Sequence, residues 1–350
     1  MSMSAQQSAA RWRTSTAGPQ RDRWATVLGH ITTAIPADTA HVLVDGHERD
    51  ATVLADRMAA ALRDAGRPRI RLSRAICAGP ADLSGGLTPG SVVIAAGPAW
   101  RAQLPAGHWH LTIRVRGASP ERGRHHRSGA ADIVVDMRDP AWPVIRHIGA
   151  WFTHTDAWYR TETQAFFAAR AATWDTESGA GLAAYAAAVT EAAIPAGASA
   201  LDVGCGTGRA LPALRDAVGP TGTVLGVDLT PAMIDVARHR AHAADAALAL
   251  ADVRRLPLPG RAVDAVFAAG LLLHLPDTDA GLRELARVTR PGGRLVLFDP
   301  SGRTDLAGCG THPGDPLTET SLRLAAHRTG WHLTGYDDPP HRFLALATRR

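Results

Sequence analysis

The sequence predicts an α/β protein of two domains, a parallel sheet in the first half of the chain and a doubly wound sheet in the second. Three observations predict it. Short apolar strands alternate with helical stretches along most of the length, the pattern of parallel sheets covered by helices. The run Leu201–Arg209 passes from a strand into three glycines, Gly204, Gly206 and Gly208, and then into a helix. About twenty residues further on, a second strand, Val224–Asp228, ends in an acid, which is where a ribose diol would be held.

Composition bounds the reading. With 350 residues the chain has length for two cores. Its 45% hydrophobic content suits a globular protein, and no apolar run reaches membrane-spanning length. The first residues lack the apolar core of a secretory leader, so the expected location is the cytoplasm. Cys77, Cys205 and Cys309 have no metal-ligand spacing, so no metal and no disulfide framework are expected. All 38 basic residues are arginine. That excludes Schiff-base chemistry on lysine and a phosphate-loop lysine. Arginines outnumber acids 19 to 12 in residues 1–150, and the balance reverses in residues 151–350. The arginines of the first half do not interleave with aromatics, so a solvated surface is expected rather than a nucleic-acid face.

Residues 1–20 read as a polar, disordered tail, 21–149 as a first domain and 150–350 as a second. After a helix from Trp24, strands are predicted at His41–Asp45, Ile70–Leu72, Ser91–Ala95, Leu111–Val115 and Ala131–Asp136, with a helix at Thr52–Ala65. In the second half, helices at Glu162–Ala172 and Leu182–Ala192 precede the glycine-rich strand. A third strand, Ala247–Asp252, ends in another acid followed by Val253. A fourth, Val263–Phe267, leads through Ala268, Ala269 and Gly270 to Leu273-His274-Leu275. A helix at Leu282–Val288, a strand at Arg294–Phe298, a helix at Ser321–His327 and strands at Trp331–Asp337 and Arg342–Thr348 complete it.

The spacing Asp202-x-Gly204-x-Gly206-x-Gly208, with Arg209 where a dinucleotide fold would carry its third glycine, resembles the class I S-adenosylmethionine-dependent methyltransferases. The resemblance continues in register from Leu201 to Phe298. It implies a Rossmann-like sheet of seven strands with an antiparallel finish, and S-adenosyl-L-methionine as cofactor. It implies that Gly204, Gly206 and Gly208 lie against the methionine and ribose, with backbone contacts from Cys205 and Thr207 and support from Asp202. Asp228 would hold the ribose, Leu229 pack on the adenine, and Asp252 with the Val253 amide meet its edge, although Asp252 also reads as a plain strand-end acid. Ala269 would close the same pocket.

In the first half, Val44-Asp45-Gly46 before a helix and Ala131–Pro140 resemble the uridine-kinase-like branch of the P-loop kinases. A working phosphate loop needs a second glycine, a lysine and a hydroxyl, and Ala51, Thr52 and Val53 stand there instead. Glu48 and Asp50 add negative charge where phosphates would sit. The expectation is a kinase-like fold without kinase chemistry.

Methyl transfer from a sulfonium needs alignment more than a catalytic triad. His274 is the candidate base, or else a packed or capping histidine. His108 and His110 are too few for a metal site, and His125 and His126 read as solvated. Trp151, Trp158 and Trp174 either wall an acceptor pocket or belong to a core. The short, glycine- and proline-rich stretch Ser301–Thr318, which carries Cys309, leaves residues 151–190 to complete that pocket. The expected activity is methylation of O, N or C on a small-molecule acceptor. Two alternatives stay open: methylation of tRNA or rRNA using the basic first half, and a non-catalytic regulator that senses a nucleotide. Oligomeric state is not legible.

Overall fold

The computed structural model describes residues 17–38, 40–72, 87–104, 106–117, 131–149, 152, 157–177, 181–301 and 315–350. Cys77, His125, His126, Trp151, Cys309 and most of the predicted tail lie outside the described residues. The chain divides into two compact units, Met1–Tyr159 and Arg160–Arg350.

The first unit opens on α1 (Ala17–Ala34), which begins inside the stretch read as tail. Trp24, Val27 and Ile31 recur at helical spacing and are buried, and that stripe is what fixes the helix. The Trp24 indole N–H donates to the Pro140 carbonyl at 3.1 Å, and Arg23 Nε donates to that of Pro143 at 2.8 Å. There follow β1 (Ala40–Asp45), α2 (Glu48–Asp64), β2 (Arg69–Arg71), β3 (Val92–Ala96), α3 (Pro98–Gln103), β4 (Leu111–Gly117), β5 (Ile133–Met137) and β6 (Val144–Ile148). The sheet order is β2-β3-β1-β4-β5-β6. All neighbours are parallel except β5 and β6, so the wholly buried β1 sits inside the sheet.

Two details differ from the sequence expectation. The stretch after Asp139-Pro140 is the antiparallel strand β6, its turn fixed by the Asp139 carboxylate accepting the Ala141 amide at 2.9 Å. Helix α2 starts at Glu48 rather than Thr52. Its first turn holds Glu48 and Asp50, acids that suit the positive end of a helix, so only Gly46 and His47 separate strand from helix.

Helix α4 (Ala157–Ala168) runs across the division between units. The second unit continues with α5 (Trp174–Glu177), α6 (Leu182–Ala192), β7 (Ser199–Val203), α7 (Leu211–Val218), β8 (Thr223–Asp228), α8 (Pro231–Ala243) and β9 (Ala247–Leu250). Then come β10 (Val263–Ala269), α9 (Thr278–Val288), β11 (Thr289–Asp299), α10 (Glu319–Thr329), β12 (Trp331–Asp337) and β13 (Phe343–Arg349). Its seven-stranded sheet has the order β12-β13-β11-β10-β7-β8-β9, with β13 antiparallel to both neighbours. This is the doubly wound, Rossmann-like sheet with the antiparallel finish that the sequence predicts.

Burial drives the layers. Tyr185 and Val189 of α6 and Leu211 and Leu214 of α7 pack with Phe267 and Phe298 in one core. Caps set the later helices. The Asp277 carboxylate accepts the Ala280 amide at 2.9 Å and starts α9 before the predicted Leu282. The Thr318 hydroxyl does the same for α10. Among the described residues no helix is long and apolar enough to cross a membrane.

Candidate active site

The site lies along the carboxyl edge of the second sheet, where open α/β sheets bind ligands. The loop after β7 keeps Gly204, Gly206 and Gly208 at φ values of 67°, 53° and 81°, a region L side chains rarely adopt. Each glycine answers a different need. A Cβ on Gly204 would sit 3.1 Å from Leu271 Cδ1, and one on Gly208 would sit 2.9 Å from Leu211 Cδ1. A Cβ on Gly206 would meet nothing within 4 Å. The first and last glycines therefore allow protein packing, and the middle one faces open space.

Backbone bonds lock the loop before any ligand arrives. The amides of Gly204 and Cys205 both donate to the Val227 carbonyl, at 2.8 and 3.0 Å, and Gly208 donates to Cys205 at 2.8 Å. The Cys205 backbone is thus committed to the turn, and its thiol is buried. Burial, with Asp202 and Asp228 nearby, pushes that thiol well above its ordinary pKa.

Asp228, at the end of β8, accepts the Gly206 amide on Oδ2 at 3.0 Å and the Thr230 amide on Oδ1 at 2.7 Å. Each oxygen keeps acceptor capacity for a hydroxyl. Burial raises its pKa despite those bonds. Asp202, on β7, is almost wholly buried, and its Oδ2 has no hydrogen-bond partner. Burial and the neighbouring Asp228 push it up to about 8.

Asp252 and Val253 follow β9, which stops at Leu250. Both oxygens of Asp252 are taken by Arg254, from the backbone amide and Nε at 3.0 Å and from Nη2 at 2.7 Å. Burial would raise this carboxyl, but the Arg254 bonds outweigh it and hold the pKa below the usual range. Of the two roles open to Asp252, ligand contact and plain strand-end acid, the bonds present are those to Arg254, two positions along. Val253 is buried, and Ala269 lies half-buried at the end of β10. Leu229 is held through its carbonyl, which accepts the Gln164 side-chain amide at 2.9 Å.

Several contributors were not foreseen. The Thr207 hydroxyl donates to Asp175 of α5 at 2.6 Å. Arg240 of α8 reaches the same carboxylate at 2.7 Å and the Thr207 carbonyl at 3.0 Å, and Arg209 lies 3.6 Å from Asp175. Gln164 and Asp175 therefore fasten the helices before the sheet to both ligand loops. No local pattern announces such contacts. Arg209 also lies over the Tyr185 ring at 5.1 Å.

His274 closes the turn Leu272–His274 after β10. Phe167 meets its ring edge-on, 5.2 Å between centroids, and Trp174 meets Phe167 at 5.4 Å. Of the other tryptophans considered, Trp158 is buried edge-on to Tyr159 in the first unit. His108 and His110 precede β4 instead of sharing a strand face, and His108 stacks on His41 at 4.7 Å. Among the described residues no group of His, Cys, Asp or Glu is placed to hold a metal.

The residues fit a nucleoside-bearing cationic ligand. Open space over Gly206, spare acceptor capacity on Asp228 and an unpartnered buried oxygen on Asp202 are the features such a ligand would use. Residues 201–297 match the family described as methyltransferase domain. This stretch is a class I S-adenosylmethionine-dependent methyltransferase domain.

Similar proteins match over the same part. A 37.1 kDa protein of a Streptomyces fradiae transposon is 42% identical over 105 residues, 30% of each chain. Demethylmenaquinone methyltransferase of Bacillus licheniformis is 38% identical over 109 residues, 31% of this chain and 47% of that one. The 27-O-demethylrifamycin SV methyltransferase of Amycolatopsis mediterranei is 40% identical over 108 residues, 30% and 39% of the two chains. The chain thus spans less than half the length of these relatives. A solved methyltransferase from Aquifex aeolicus aligns with 52% of this chain and 98% of its own at 24% identity and a TM-score of 0.46.

Proposed function

We propose that the protein is a cytoplasmic methyltransferase that moves the methyl group of S-adenosylmethionine to O, N or C of a small-molecule acceptor. The observation that carries this reading is the Gly206–Asp228 pair, a preformed turn beside open space at the carboxyl edge of the sheet. Two of the relatives are named for acting on small molecules, a demethylmenaquinone and a rifamycin.

The sulfonium, when bound, supplies an already activated methyl group. The chain's own work is to bind, orient and exclude water. Gly204, Gly206 and Gly208 would floor the methionine and ribose, Asp228 would accept from the ribose hydroxyls, and Leu229 would cover the adenine beside Val253. Asp202, buried on β7, would support the glycine turn. Asp175 and Gln164 hold the preceding helices against these loops.

The first unit, in this reading, is a kinase-like fold without kinase chemistry. Supporting it, only Gly46 and His47 lie between β1 and α2, too few to wrap a phosphate chain. Asp50 lies where a Cβ on Gly117 would be, Glu48 packs near Gly97, and Asp45 pairs with Arg101 at 2.9 Å and Arg114 at 3.4 Å. The turn is filled by its own charges. Incubation of the full chain with tritiated S-adenosylmethionine and hydroxylated or amine-bearing metabolites tests the proposal. Label transferred to a small molecule supports it, and label transferred only to RNA would replace the acceptor class.

A further inference from the structure

The first unit carries a basic groove between α2 and β2. It holds about 390 Å³ and is lined by Asp56, Ala59, Ala60, Arg63, Arg69 and Arg71. Sequence spacing builds it. Asp56, Ala59, Ala60 and Arg63 recur at helical intervals and share one flank of α2, while Arg69 and Arg71 share one face of β2. The two alanines leave room that larger side chains would fill. Among the described residues β2 is the outer strand of its sheet, and it pairs only with the first residues of β3, Val92 to Ile94. The groove therefore lies at the sheet's edge, toward its amino end and away from the turn after β1.

Its guanidiniums are held in place but not used up. Arg71 donates from Nε to Asp56 Oδ1 at 2.9 Å and from Nη1 to the Leu72 and Ile94 carbonyls at 2.8 and 3.4 Å, which fixes the fork and leaves Nη2 unspent. Arg63 meets only Asp64, at 3.7 Å with both side chains exposed, a pair worth little. Arg69 has no hydrogen bond or ion pair among the described residues. Three guanidiniums against one carboxylate leave the lining two positive charges in excess. Arginines on an edge strand also discourage pairing with another chain, but that task needs no groove. A phosphate monoester brings what this lining lacks: nearly two negative charges and three acceptor oxygens, which guanidinium forks meet two bonds at a time. A groove of this volume takes a ligand of small-metabolite size.

We propose that this groove binds a small organic phosphate monoester, its phosphate held by Arg63, Arg69 and Nη2 of Arg71 and its organic part lying over Ala59 and Ala60. The site shares no residue with the glycine loop and does not rest on the methyl-transfer reading.

Calorimetric titration of the full chain with ribose 5-phosphate at physiological ionic strength tests it. Ribose, inorganic phosphate and dimethyl phosphate, a diester, serve as comparison ligands. Ribose 5-phosphate should bind, ribose should not, and dimethyl phosphate should bind at least about 10-fold more weakly. Arg69→Ala and Arg63→Ala should each weaken ribose 5-phosphate by about 10-fold, the usual worth of a charge-assisted bond, with the urea unfolding midpoint close to wild type. Arg63 stands on the exposed flank of α2, so its variant reports on the site even if Arg69→Ala fails to fold. No binding of ribose 5-phosphate, or undiminished binding in either folded variant, would overturn the site. Inorganic phosphate binding as tightly as ribose 5-phosphate would overturn the organic ligand, and arginine-dependent binding of oligouridylate alone would replace it with RNA.

Discussion

The Gly206 amide donates to Oδ2 of Asp228 at 3.0 Å, joining the turn after β7 to the end of β8. One carboxylate thereby shapes the glycine loop and remains able to accept from a ligand. Substitutions around this bond separate folding from binding.

Gly206 and Gly208 should respond differently to alanine. At Gly206 a Cβ enters open space, so Gly206→Ala should cost only the positive-φ strain, about 1 kcal/mol, while blocking the ligand. At Gly208 a Cβ would also press on Leu211 at 2.9 Å and Ala237 at 3.3 Å. Gly208→Ala should lose about 2 to 4 kcal/mol. Urea unfolding beside S-adenosylhomocysteine titration checks both, and equal stability losses would refute the distinction.

Asp202 should make the second unit less stable as pH rises. Its pKa is pushed from the usual carboxylate range to about 8 by burial and Asp228. The folded form then holds its proton where the unfolded chain has lost it, so this contribution is full below about pH 4 and is lost as pH rises through 8. Asp202→Asn removes that titration. Melting curves from pH 5 to 9 should fall less steeply for the variant, and parallel curves would contradict the assignment.

His41 should act in the opposite direction on the first unit. Burial first, then the neighbouring His108 and His110, lower its pKa. The unfolded chain therefore binds the proton more readily, and stability present above about pH 6.5 is lost as pH falls. Denaturant titrations at pH 8 and pH 5 should show a smaller acid loss in His41→Gln than in wild type. An unchanged acid loss would remove the histidine cluster from the explanation.

Asp175→Ala should free the Thr207 hydroxyl and leave Arg240 with only its carbonyl contact. A loss of about 1 to 2 kcal/mol is expected, with faster amide exchange over residues 160–177. Exchange confined to the glycine loop would show that Asp175 does not fasten these helices.

What the sequence revealed depends on how local the physics is. The glycines and the acids of β7 and β8 were readable because strand, turn and helix follow each other within thirty residues or so. Strand β6 was missed because Arg146 and His147 interrupt its apolar pattern, although Arg146 is buried. The start of α2 was misplaced because acids that suit a helix start were read against a phosphate-loop template. Gln164, Asp175 and Arg240 were invisible because their partners lie about 30 to 65 residues away in sequence and only packing unites them.

The central claim is that the Gly206–Asp228 turn holds the nucleoside end of S-adenosylmethionine. Calorimetric titration of the full chain with S-adenosylhomocysteine, against Asp228→Ala and with ATP as comparison ligand, tests it most directly. The account predicts binding near micromolar, at least about 100-fold weaker in the variant, and no response to ATP. Undiminished binding in Asp228→Ala, or heat from ATP alone, would contradict it.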